Sequence, residues 1–132
     1  MKTVNYESYV SLEVAKLLKE AGFDWNTNLV YVDDTLLTNP YTADWNNTIP
    51  NTYTSAPTLD VTQKWLRENK NFDINIITDF DSVKRLYYVR YVVKDGHYKT
   101  YHITNNRSYV YFNTYEEALE AGIKKSLEMI SK

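Results

Sequence analysis

The run KRLYYVRYVVKDGHYKTYHI, from Lys84 to Ile103, constrains the fold more than any other stretch. Two segments rich in Tyr and Val flank Asp95-Gly96, a pair favoured in tight hairpin turns because both residue types tolerate positive φ. A two-residue turn would pair Lys94 with His97 and fix the register outward from there. Val93 then faces Tyr98, Tyr91 faces Thr100 and Val89 faces His102. On the other side of the ribbon Val92 faces Lys99, Arg90 faces Tyr101 and Tyr88 faces Ile103. The first set is the better candidate for burial and the second is mixed, as in an antiparallel sheet with one wetter face.

Three helices are marked by their ends. Ser11 precedes a stripe of Val14, Leu17, Leu18 and Ala21, and Val10 with Ala15 suits a hydrophobic staple. Gly22 can take the left-handed stop position. Thr58 and Asp60 suit the start of a second helix whose stripe carries Leu59, Thr62, Trp65 and Leu66. Thr114 and Glu117 form a capping box before a long stripe that ends near Ile130. Gly122 on that stripe implies a close approach by a neighbour. The predicted helices cover about 11–21, 58–70 and 114–131.

Short strands are expected at Asn28–Val32, around Asp73–Ile77 and in YVYF (109–112), with DFDSV and NNRS as connectors. The segment from Asp33 to Pro57 is rich in Thr, Asn and Pro and reads as a long irregular loop. Leu36, Leu37, Trp45 and Ile49 are the residues that would pin it. The prediction is one α+β domain over 1–132, an antiparallel sheet of three to five strands packed on about three helices.

Composition limits function. The chain has 132 residues, 43% hydrophobic and 24% charged, which suits a globular domain with a real core. It has no cysteine, which excludes disulfides, thiolate chemistry and Cys-bound zinc. The net charge is −2, without a run of like charge, where a dedicated nucleic-acid binder usually carries a basic stripe. No stretch approaches the ~20 apolar residues of a membrane span, and the first residues lack a signal-peptide core. A cytoplasmic protein with no membrane partner is expected. Thirteen tyrosines and three tryptophans are the unusual feature. Such rings serve both half-buried sheets and interfaces.

Three segments, VSLEVAKLLKEAGF, APTLDVTQKWLRENKNFDINI and YFNTYEEALEAGIKKSLEMI, resemble in their order a group of small uncharacterised proteins of Bacteroides-type bacteria and their phages or prophages. The resemblance implies a phage-related setting and supplies no activity, cofactor or site residue. It does not reach the stretch from Asp33 to Ala56.

Individual constellations are weak as chemistry. Asp24, Asn26 and Asn28 are spaced like the opening of a calcium loop, but Leu29 and Thr35 stand where Gly and Glu are needed. Asp79 with Asp81, and Asp33 with Asp34, read as polar turns. His97 and His102 fall on opposite faces of one strand, and no triad accompanies them. Asn46 and Asn106 stand in glycosylation sequons that matter only in a secreted chain. From Thr58 onward the order of elements is similar to a double-stranded RNA-binding domain, but the last helix starts TYEEALE, which repels phosphate.

No catalytic residue, cofactor or metal is expected. An unknown protein partner is the leading expectation, with a homodimer as one form of it. The alternatives are an enzyme of unrecognised type and a single-stranded nucleic-acid binder. The binder would stack bases on Tyr88, Tyr101 or Tyr111 beside Arg90 and Lys99. The candidate contact residues are Tyr88, Arg90, Tyr101 and the loop aromatics Tyr41, Trp45 and Tyr53. Arg90 and Lys99 on one face with exposed Tyr would favour nucleic acid; an apolar patch of little charge would favour protein.

Overall fold

The computed structural model describes residues 9–48 and 52–131. Their fold is α+β, and the strand pairings are antiparallel. The chain divides into two compact units, 1–61 with 127–132 and 62–126. Each carries its own three-stranded sheet. Among the described residues no helix is long and apolar enough to cross a membrane.

The first unit opens with α1, Leu12–Ala21. The Ser11 hydroxyl accepts from the Val14 amide at 3.3 Å, and Gly22 stops the helix at φ 95°. The Phe23 amide donates back to the Leu18 carbonyl at 3.0 Å, which closes the cap and starts the next turn. Val10, Val14, Ala15, Leu18 and Phe23 are buried. The Lys19 ammonium donates to the Tyr53 carbonyl at 2.7 Å, tying α1 to the sheet. That sheet has the order β2-β1-β3, with β1 Thr27–Val32, β2 Thr35–Ala43 and β3 Tyr53–Ser55. The Tyr31 hydroxyl donates to the Val10 carbonyl at 3.0 Å.

Among the described residues, the stretch 33–57 is therefore not the irregular loop expected from its composition. Asp33 takes φ 54°, a left-handed turn that a short polar side chain tolerates. It folds β2 back on β1, with Val32 opposite Thr35. The pairing shifts between Leu29–Thr38 and Thr27–Ala43, so residues 39–42 bulge out. There the Asn39 side-chain carbonyl accepts from the Tyr41 amide at 3.0 Å. A short 3-10 turn follows at Trp45–Asn47. Asn46 bridges two strands of backbone: its amide donates to Phe23 at 3.0 Å and its oxygen accepts from Ser55 at 2.9 Å. Leu36 is half-buried, Leu37 is 45% exposed, and Ile49 lies outside the described residues.

α2, Leu59–Lys70, lies in the second unit from Thr62 on, and its start is capped by the Thr58 hydroxyl accepting from Val61 at 3.2 Å. Trp65 and Leu66 point inward, as their place on the apolar stripe predicts, with Trp65 2% exposed. Asn71 at φ 59° ends the helix. The sheet is β4-β5-β6, with β4 Phe72–Phe80, β5 Arg85–Asp95 and β6 His97–His102. β4 runs past the expected 73–77 core. The DFDSV connector shortens to a turn in which one Asp81 oxygen accepts from the Val83 and Lys84 amides, each at 2.7 Å. The Lys84 and then the Val83 hydrogen bond hold that carboxyl below its usual range.

The register of the central hairpin differs by one residue from the two-residue-turn expectation. Asp95 pairs with His97, Lys94 with Tyr98, Val93 with Lys99, Tyr91 with Tyr101 and Arg90 with His102. A mirror-image type I turn needs positive φ at both central residues. Here Gly96 adopts it at φ 70° and Asp95 does not, so Gly96 alone forms the apex and every residue of β6 slips by one. A one-residue slip reverses the face of each side chain.

After β6 the chain makes a two-stranded excursion, β7 Thr104–Asn105 and β8 Ser108–Tyr109. It then rejoins β5 where Tyr87 and Phe112 exchange backbone bonds of 3.0 and 2.8 Å. α3, Tyr115–Ile130, starts with the Thr114 hydroxyl accepting from Glu117 at 3.1 Å. Gly122 lies so near β4 and β5 that a Cβ there would stand 2.8 Å from Ile74 Cγ2 and 2.9 Å from Val89 Cγ1. The close approach foreseen for Gly122 is thus made by two β-branched side chains.

Candidate functional site

Alternation along β5 sorts the second-unit sheet into two faces. Val89 meets Gly122 and Tyr87 stands edge-on to Tyr115 at 6.1 Å, so the odd residues of β5 face α3. The even residues, among them Tyr88 and Arg90, face away from it. On that outer face Arg90 sits in register between Asn75 of β4 and His102 of β6.

One row along, Tyr88 is the centre of an aromatic cluster. Tyr109 stacks on it with centroids 4.5 Å apart and planes 4° apart. Tyr111 stands edge-on at 5.9 Å, and His102 tilts against Tyr109 at 4.9 Å. Offset-stacked and edge-to-face geometries of this kind are the favourable ones for rings. The Tyr111 hydroxyl donates to Asp79 at 3.3 Å. Desolvation, and then the Asp79 charge, push that phenol above its usual range. Tyr109 and Tyr111 remain exposed while Tyr88 is half-buried beneath them.

The excursion β7-β8 is what brings Tyr109 over Tyr88. Its turn is Asn106-Arg107, with φ 50° and 69°. Arginine in that region is strained by about 1 kcal/mol or more. Arg107→Gly is expected to raise stability by roughly 0.5–1 kcal/mol, read by urea denaturation, with the Tyr88–Tyr109 stack intact.

The other candidates go elsewhere. Tyr101 lies on the α3 side of the sheet, stacked on Tyr91 at 5.3 Å. Burial and then Tyr101 raise the Tyr91 phenol. Lys99 pairs with Val93 on that same side. Tyr88 and Arg90 therefore share a face, whereas Tyr101 and Lys99 belong to the opposite one.

In the first unit, the Trp45 indole N–H donates to the Thr27 carbonyl at 2.6 Å, and its ring meets Tyr53 edge-on at 5.9 Å. Those two anchor the chain between β2 and β3. Tyr41, on the bulge, is 77% exposed. A pocket of about 130 Å³ lined by Asn26, Asn28, Thr42 and Pro57 is well below the ~300 Å³ at which small-molecule sites begin. Among the described residues no three His, Asp or Glu side chains group as metal ligands would.

Tyr109 is the ring of this cluster that sequence reading misses. Its partner Tyr88 is remote along the chain, and the pairing depends on the excursion. The signals on hand are the NNRS turn and the short strand that follows it.

A scan against protein-family models gives no match for this chain. A search of curated proteins and a search of solved structures give none either.

Proposed function

We propose that this chain is a small accessory or protein-interaction domain of the phage or prophage type, acting in the cytoplasm. Its contact face is the outer surface of β4-β5-β6 around Tyr88. The stacked cluster of Tyr88, Tyr109, Tyr111 and His102 carries this reading. It is an aromatic patch on which Tyr109 and Tyr111 stay exposed, the kind of surface that supplies interface area at low entropic cost. Charge on the face is mixed: alternation along β4 puts Asp73 and Asp79 on the same face as Arg90. Placement of Arg90 and Lys99 on opposite faces speaks against a phosphate-tracking groove. Single-stranded nucleic acid is the second reading, supported by the ring platform beside Arg90.

The test is capture from host lysate with and without nuclease, using the wild-type chain and Tyr88→Ala/Tyr109→Ala in parallel. A protein that survives nuclease and falls at least about ten-fold in the double variant, a loss of about 1.4 kcal/mol, is the expected result. Nucleic acid recovered by wild type and lost in the variant would replace the first reading with the second. Equal capture by both chains would remove this face from either.

A further inference from the structure

β2 is an edge of the first-unit sheet: among the described residues its one strand neighbour is β1. The bonding of β1 tells which groups of β2 face outward. The Leu29 carbonyl accepts from Ala56, and the Asp33 amide donates to Thr52. The odd residues of β1 thus serve the β3 side. Alternation in an antiparallel ladder leaves Val30 and Val32 to bond β2, where their partners are Leu37 and Thr35. Leu36 and Thr38 therefore direct their N–H and C=O groups to the open side.

Exposed edges are usually guarded by charge, proline or a bulge. β2 has Pro40 and the bulge in its second half, but from Thr35 to Ala43 it has no charged residue. Its first half, TLLT, is an unguarded template with Leu37 45% exposed.

We propose that Leu36–Thr38 of β2 pairs antiparallel with the same segment of a second copy, about a two-fold axis at Leu37. Leu36 and the second copy's Thr38 then exchange backbone bonds on each side of the axis. Leu37 faces its own counterpart. Such an axis runs normal to the sheet and sets residues of equal parity opposite one another, so both sheet faces continue across the join. Pro40, which has no N–H to give, falls beyond the bonded stretch. The segment is uncharged, so a copy brings no like charge against it. Few groups take part, so the dimer is weak and reversible. This surface is separate from the Tyr88 face and stands or falls independently of it.

Sedimentation equilibrium of the full chain, from micromolar to millimolar concentration, tests it. Wild type is expected to show a concentration-dependent dimer. Leu37→Lys and Leu37→Glu alone are each expected to weaken it at least about ten-fold, since like charges directly opposite repel. An equimolar mixture of the two variants is expected to restore it. Circular dichroism of each variant checks that the fold is kept. A monomeric wild type, charge variants that dimerise like wild type, or a mixture no better than either variant alone would overturn the proposal.

Discussion

Trp65→Ala is expected to destabilise the protein by about 3–5 kcal/mol. Trp65 sits on the inward stripe of α2 beside Leu66, which is fully buried. Truncation removes the largest side chain type and leaves a void that the surrounding side chains fill only in part. Lys70, whose ammonium lies 5.8 Å from the indole centroid, also loses its ring. Domains of this size have about 5–15 kcal/mol of stability in all, so the variant keeps only a fraction of its margin. Urea denaturation reads the loss as a lower midpoint at unchanged slope. A change below about 1 kcal/mol would mean that α2 does not seat its stripe as described.

Gly122→Val is expected to cost about 3 kcal/mol or more, through overpacking. The first added carbon alone would lie under 3.0 Å from Ile74 and Val89. Both are β-branched side chains on strands with restricted χ1, so neither can turn aside cheaply. Gly122→Ala grades the effect: helix propensity returns about 1 kcal/mol against the same first clash, for a net loss of about 1 kcal/mol. Gly122→Ala more stable than wild type, with Gly122→Val tolerated, would show that α3 stands further from the sheet. Thermal denaturation of both variants decides it.

The helices were legible because caps are local chemistry. Ser11, Thr58 and Thr114 each accept the amide that their sequence position implies. The inward positions of Trp65 and Leu66 followed from the stripe. β2 was not legible. As an edge strand half exposed on both faces, it shows no alternation, and Asn39 and Pro40 disguise its bulge as a loop. Its entry turn is Asp33-Asp34, which lacks the glycine that usually betrays a hairpin.

The aromatic face is legible only in part. Tyr88 and Arg90 share a face whatever the hairpin register, because both lie on β5, where parity is fixed by one strand. The face of Tyr101 is not legible, because it depends on a turn geometry that one dihedral angle decides. Nor is the place of Tyr109, because only the β7-β8 excursion carries it to Tyr88.

That register is the point on which the contact face depends, and cross-strand NOEs measure it most directly. Close backbone contacts linking Tyr91 with Tyr101 and Arg90 with His102, together with ring contacts between Tyr88 and Tyr109, are expected. Contacts linking Tyr91 with Thr100 and Arg90 with Tyr101 would contradict it. They would return Tyr101 to the face of Tyr88 and Arg90, and with it the stronger case for a nucleic-acid platform.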